Sequence, residues 1–341
     1  MLTKPGSPSE LAGRIAELIV GQPNAINSII PFVEIHEAGL APEGRPAGVF
    51  LLLGPTGTGK TRTVEALAQA LHGSPRKLLK VDCGEFQMEH EVAKLIGAPP
   101  GYLGHRETQP LLTQAKINSV TSNNSDLSLV LFDEIEKAAP SMTRLLLGVL
   151  DKATLRLGDN SVVNFEKSVI FLTSNLGARS MERVLRPNFG FETLVPRDVK
   201  DGGPKIESIA LKAVRRRFSP EFVNRIDAVV TYQPLTAESL ALILDQQLRD
   251  LQEHIIARLG DRSFHLEVPT RTRRFLLKRG ASIEYGAREL KRTIHRELLQ
   301  PLARMVANHE IHPGETVRVE TNGTNTRVLM HCLDPMLEPA A

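Results

Sequence analysis

Eight consecutive residues constrain this chain more than any other feature: Gly54-Pro55-Thr56-Gly57-Thr58-Gly59-Lys60-Thr61. They satisfy the pattern G-x-x-x-x-G-K-[ST], in which a glycine-rich loop turns successive backbone N–H groups toward one anion. The setting fits as well. Val49–Leu53 is an apolar run that reads as a buried strand, and the stretch after the loop places Val64, Leu67, Ala68 and Leu71 at helical spacing. A strand, this loop and a helix start together predict a phosphate cradle. Gly57 and Gly59 give the backbone conformations closed to other residues. Lys60 adds a charge for the β and γ phosphates, and Thr61 a hydroxyl for Mg²⁺. The competing reading is a chance glycine-rich turn, and the flanking strand and helix argue against it.

At 341 residues the chain has room for one large or two modest domains. No apolar run approaches the roughly 18 to 20 residues of a membrane-spanning helix, and the start lacks the charged-then-apolar order of a signal peptide. Cys83 and Cys332 lie far apart without metal-ligand spacing, which points away from a disulfide framework or zinc site and toward a reducing cytoplasm. A net charge of +3 leaves no electrostatic footprint for nucleic acid. Runs such as Arg215-Arg216-Arg217 read as solvated helix faces or subunit contacts.

Taken in order, a Pro-, Gly- and Ser-containing lead precedes a helix carrying Leu11, Ile15, Leu18 and Ile19. A second helical pattern from about Pro23 to Ala38 contains Pro31, which is expected to kink it. Leu78–Val81 reads as a buried strand. The proline and glycine content of Pro99–Gly104 demands a loop, with Tyr102 at its tip. Residues Asn118–Ser128 are polar and read as an exposed, mobile loop. Leu129–Phe132 is another buried strand, ending in Asp133 and Glu134, where open α/β sheets place their ligands. Asp133 is expected to hold the Mg²⁺ shell and Glu134 to polarise the attacking water; a helix-capping pair is the alternative. Val169–Leu172 ends in Thr173-Ser174-Asn175, and the Asn175 amide could orient water against the terminal phosphate.

Alternating strands and helices imply a parallel sheet covered on both faces. The expected class is α/β, a phosphate-loop domain over residues 1–235 followed by a small α+β domain over 236–341. In the second, the helix Leu240–Leu259 precedes short strands near 264–268, 316–319 and 327–330.

The string of motifs resembles the AAA+ ATPases of the Clp-type ring unfoldases, most closely the second ATPase module of ClpB-type and ClpC-type chaperones. The resemblance rests on Ile19-Val20-Gly21-Gln22, the phosphate loop, Leu95–Gly104, Leu131–Ala138, Thr173–Gly177, Pro220–Asp227 and Tyr285–Leu290. It implies ATP and Mg²⁺ as cofactors, with Val20 joining Gly54, Pro55, Thr56, Gly57, Thr58, Gly59, Lys60 and Thr61 in nucleotide binding. It implies that Asn175 is the first sensor, Arg225 the arginine finger given to the neighbouring subunit, and Arg288 the second sensor, carried on a small lid domain. Gly101, Tyr102, Leu103 and Gly104 match the axial loop that grips unfolded or aggregated polypeptide in a ring, expected to be a homohexamer. Phe189-Gly190-Phe191 falls where peptidase-coupled relatives carry a docking loop for a Clp-type peptidase. The chain departs from the family after Gly104, where His105-Arg106-Glu107-Thr108 replaces an aromatic, acidic, double-glycine continuation. The implied activity is ATP-driven unfolding by threading. The alternative is an ATP-gated assembly or scaffold module without threading.

Overall fold

In the computed structural model, residues 8–97, 110–178, 180–181, 203–281, 286–322 and 328–333 are described. The chain divides into two compact units, one of Met1–Pro55 with Gly59–Gln233 and the other of Pro234–Ala341 with Thr56–Thr58.

The first unit is built on a sheet of five parallel strands in the order β2-β3-β6-β1-β7. These strands are β1 (Gly48–Leu53), β2 (Leu79–Asp82), β3 (Ser128–Asp133), β6 (Ser168–Ser174) and β7 (Ala228–Thr231). Side chains alternate across the sheet, as the pleat requires. Val49, Leu51 and Leu53 of β1 enter one core with Val130, Phe132, Ile170 and Leu172, while Phe50 and Leu52 enter the opposite core with Leu129, Leu131, Val169 and Phe171. A strand buried on both faces must be apolar almost throughout, which is why these segments read as continuous hydrophobic runs. Phe50 stacks on Phe171 with ring centroids 5.5 Å apart.

Parallel register brings the carboxyl ends of the strands to one edge. Leu53 lies opposite Ser174, Leu52 opposite Thr173, and Asp82 opposite Asp133. The acidic end of β3 and the amide after β6 therefore reach the same edge as the glycine loop after β1, and β6 sits between β3 and β1.

The helix Pro23–Glu37 continues through Pro31, which faces solvent, and Pro23 takes its first turn. Pro31 lacks an N–H for the carbonyl four residues back, and an exposed carbonyl can be hydrated instead. The segment 118–128 is not a free loop. Its first residues close the helix Gln114–Ser119, and Ser125, Leu127 and Ser128 are buried. Lys77 Nζ donates to the carbonyls of Ser119 and Thr121 at 2.8 and 3.0 Å, and the Ser125 hydroxyl donates to Glu37 at 2.6 Å. Polarity here reflects side-chain partners rather than freedom. A short hairpin, β4 (Thr154–Arg156) with β5 (Val162–Asn164), was not anticipated.

The second unit has a three-stranded sheet, β8 (His265–Glu267) parallel to β9 (Thr316–Thr321) and β10 (Val328–Leu333) antiparallel to it. Its helices include Ala237–Leu259, Thr270–Gly280 and Ala287–Ile294, and Leu244, Leu276, Leu290, Leu298 and Val319 form its core. A π-turn over His295–Leu299 leads into the helix Gln300–Ala307. Pro301 supplies the reason, since it has no N–H for a regular helical bond.

Candidate active site

β1 delivers the glycine loop at a point of close approach. A Cβ on Gly54 would lie 2.8 Å from both the Cβ and the carbonyl oxygen of Tyr232, so only glycine fits. The Tyr232 N–H donates to the Leu53 carbonyl at 2.6 Å, and its hydroxyl donates to Thr63 at 2.8 Å. Thr63 donates in turn to the Gly59 carbonyl at 3.1 Å. Burial pushes the Tyr232 phenol well above its ordinary range, which keeps it a neutral donor. Gly59, at φ 104°, caps the helix Lys60–His72 in a left-handed conformation and hands its first turn to Lys60 and Thr61.

Lys60 is buried. Its ammonium donates to the Gly54 carbonyl at 2.6 Å, the Pro55 carbonyl at 2.8 Å and the Asn175 side-chain oxygen at 2.8 Å. Asn175 turns its other amide atom to Glu134, with Nδ2 3.4 Å from Oε1. The amide orientation is thus set by a cation on one side and a carboxylate on the other. The backbone N–H of Asn175 donates to Glu136 at 3.1 Å.

Asp133 receives the Lys80 ammonium at 2.7 Å, the Thr173 hydroxyl at 2.5 Å and, more loosely, the Thr61 hydroxyl at 3.5 Å. Burial opposes its charge, but the Lys80 and Thr173 hydrogen bonds and the Lys80 and Lys60 charges outweigh it, holding the carboxyl below the usual range. Glu134 adopts φ 57° and ψ 49°. For a non-glycine residue this conformation costs on the order of 1–3 kcal/mol, and such residues cluster at functional sites. The Glu134 N–H donates to Thr173 Oγ1 at 3.0 Å, so one threonine hydroxyl positions both acids. Its side chain pairs with Lys137 and makes no capping hydrogen bond.

The donor set suits Mg²⁺. Thr61 and Asp133 offer hard oxygens side by side, and among the described residues no group of three or more His, Cys, Asp or Glu could hold a metal alone. Mg²⁺ is commonly held in this way, by few protein oxygens together with phosphates.

Of the residues expected from sequence, Lys60, Thr61, Asp133, Glu134 and Asn175 lie together at the sheet edge. Val20 follows the helix Pro8–Leu18 and is half-buried, and its neighbour Gln22 exchanges hydrogen bonds with the backbone of Gln233. Arg225 pairs with Asp151 at 3.2 Å. Arg288 is exposed in the first turn of Ala287–Ile294 in the second unit. Gly101, Tyr102, Leu103, Gly104 and Phe189-Gly190-Phe191 lie outside the described residues. Sequence reasoning missed Lys80, Thr173 and Tyr232. A lysine within an otherwise apolar strand was the available signal for Lys80, and Thr173 stood within a recognised run. Nothing local marks Tyr232, whose partner Thr63 is 169 positions away.

A phosphate loop on a parallel sheet, with paired acids and an amide at the adjoining strand ends, defines the class of phosphate-loop nucleotide hydrolases. A family profile described as AAA domain (Cdc48 subfamily) matches residues 45–229, and one described as the C-terminal, D2-small domain of ClpB protein matches 235–319. The chain belongs to the AAA+ family, and its two parts correspond to the second ATPase module of ClpB-type chaperones. It is 36% identical over 304 residues to the chaperone protein ClpB of Meiothermus ruber, covering 89% of this chain and 33% of that protein. With ClpB of Agrobacterium fabrum the identity is 35% over 311 residues, covering 91% and 33%. The chain therefore spans about a third of the length of these relatives. Among solved structures, a Saccharomyces cerevisiae Hsp104:casein complex in an extended conformation matches with TM-score 0.80 and 27% identity, over 97% of this chain and 53% of that one. A closed state of Hsp104 with ATPγS and FITC casein matches with TM-score 0.77 and 28% identity, over 96% and 52%.

Proposed function

We propose that this chain is the ATP-hydrolysing subunit of a homo-oligomeric ring, a hexamer by family likeness, that unfolds polypeptide by threading it through a central pore. The observation that carries the hydrolytic part is the convergence of Lys60, Thr61, Asp133, Glu134 and Asn175 at one sheet edge. ATP lies along residues 54–61, with Val20 beside the base. Lys60 exchanges its carbonyl partners for the β and γ phosphates. Thr61 and Asp133 would hold Mg²⁺, which would supply positive charge to the phosphate oxygens. Glu134 accepts the proton of the attacking water while Asn175 orients that water. Residues 1–235 form the nucleotide-binding domain, and residues 236–341 a small lid domain whose Arg288 serves as the second sensor.

Arg225 serves the pocket of the next copy, so turnover depends on assembly. Residues 101–104 carry Tyr102 to the pore, where it grips unfolded or aggregated polypeptide. The setting is cytoplasmic by family likeness, and among the described residues no helix is long and apolar enough to cross a membrane. A peptidase partner is not part of this reading. The test is Tyr102→Ala. ATP turnover is expected to persist while unfolding of a tagged fluorescent protein is lost. Unfolding that survives the substitution would replace threading with ATP-gated assembly.

A further inference from the structure

Arg217, the last residue of the helix Gly203–Arg217, is not part of the nucleotide site, yet its guanidinium is fixed on the segment that follows the paired acids. Its Nε and Nη2 donate to the Glu136 carbonyl at 3.1 and 2.8 Å, and Nη2 also donates to the Ala138 carbonyl at 3.1 Å. That segment is a tight turn, with the Lys137 N–H donating to the Glu134 carbonyl at 2.9 Å. Its Glu136 side chain accepts the backbone N–H of Asn175. The planar guanidinium thus holds two carbonyls of the turn that sets Glu134 and, through Glu136, Asn175.

On its other side, Arg217 leads into a stiff connection. Phe218 is buried and stacks on Phe222 with ring centroids 5.0 Å apart and planes at 21°. Ser219 caps the helical turn Pro220–Val223 through its side chain, accepting the Phe222 N–H at 3.3 Å. The Asn224 and Arg225 N–H groups then donate to the carbonyls of Pro220 and Phe222 at 3.0 and 3.2 Å. Few soft torsions remain between Arg217 and Arg225. A displacement of the acidic turn would therefore move the backbone that carries Arg225.

We propose that Arg217 is a positioning residue that couples the Glu134–Ala138 turn of one nucleotide pocket to Arg225, and so to the pocket of the adjoining copy. This rests on the reading that Arg225 acts across a subunit boundary. The alternative is a surface arginine that satisfies two carbonyls and does nothing more.

Rings mixed at a fixed ratio separate the two. Wild-type subunits are blended with subunits carrying Glu134→Gln, Glu134→Gln with Arg217→Ala, or Glu134→Gln with Arg225→Ala, and turnover by the wild-type subunits is measured. Because the added subunits are silenced at their own pocket, only their effect on neighbours is read. The Arg217→Ala combination is expected to lower turnover about three- to tenfold below Glu134→Gln alone, with Arg217→Lys recovering part of it, since coupling residues commonly act at this scale. Binding of a fluorescent ATP analogue by the added subunits should be unchanged. Equal turnover for the Glu134→Gln and Arg217→Ala blends, with a further fall only for Arg225→Ala, removes Arg217 and keeps the cross-boundary arginine. No fall for either means that the Arg225 reading fails and this inference with it. Arg217→Gln, which keeps a donor group, runs alongside, so a folding failure of the alanine variant leaves the comparison intact.

Discussion

Glu134 and Asp133 are adjacent in sequence, but the structure gives them different surroundings. Asp133 is wrapped by Lys80, Thr173 and Thr61, whereas Glu134 is turned by its left-handed backbone toward Asn175 and Lys137. Replacing Glu134 with Gln keeps the shape and removes the proposed proton acceptor. ATP binding should be retained and turnover should fall by about 10²–10⁴, the usual contribution of general-base catalysis. Unchanged turnover in a phosphate-release assay would take Glu134 out of that role. A second residue-scale expectation concerns Tyr232. Tyr232→Phe removes one hydroxyl from the Tyr232–Thr63–Gly59 chain but leaves Thr63 its bond to Gly59, so the loss is limited to about 1 kcal/mol. Urea unfolding measures it, and a loss of several kcal/mol would mean that the hydroxyl does more than join β7 to the loop helix. At the same scale, Cys83 is expected to resist thiol reagents at pH 8. Burial pushes its thiol far up and the carboxylates of Asp82 and Asp133 push it further. Rapid modification of Cys83 in the native protein would contradict that placement.

Among the elements, the central strands were legible because burial on both faces leaves little choice but an apolar run, and the glycine loop was legible because its pattern is local. What the linear chain did not reveal is spatial order. That β6 separates β1 from β3, and so aims Asn175 at both Lys60 and Glu134, depends on pairing among segments far apart. The error over 118–128 has the same origin. Its serines and asparagines suggested hydration, but Ser122 and Ser125 meet His72 and Glu37, and the Ser119 and Thr121 carbonyls meet Lys77, all outside the segment. His72, at the end of the loop helix, lies 3.0 Å from the Ser122 hydroxyl. Burial lowers its pKa, the Leu127 backbone opposes that, and the nearby Lys77 charge adds to it. The folded state therefore favours neutral His72. Its stabilising contribution is present above the ordinary value of 6.5 and is lost as pH falls below that value through the lowered one. Thermal stability should decline as pH falls below 6.5, and His72→Gln should flatten that decline. An identical pH profile in the variant would assign the decline to other groups.

For the whole molecule, the decisive question is whether one copy suffices. Within the chain Arg225 is paired with Asp151, and among the described residues no hydrogen bond or ion pair links it to Lys60, Asp133, Glu134 or Asn175. The pocket has a cation on the phosphate side in Lys60, but the charge that develops during phosphoryl transfer is commonly met by a further arginine. If that arginine comes from a neighbouring copy, specific turnover must rise with protein concentration and level off once assembly is complete. Dilution below assembly should reduce turnover per subunit by about 10³ or more while leaving nucleotide affinity within a fewfold, because Arg225 assists the transferring phosphoryl group more than the bound ground state. Arg225→Ala should reproduce the diluted rate at every concentration. Turnover and sedimentation measured over the same dilution series check this directly. A dispersed subunit that hydrolyses ATP as fast as the assembled one would show that a single chain supplies all the charge the reaction needs, and the pairing of Arg225 with Asp151 would then be its structural role.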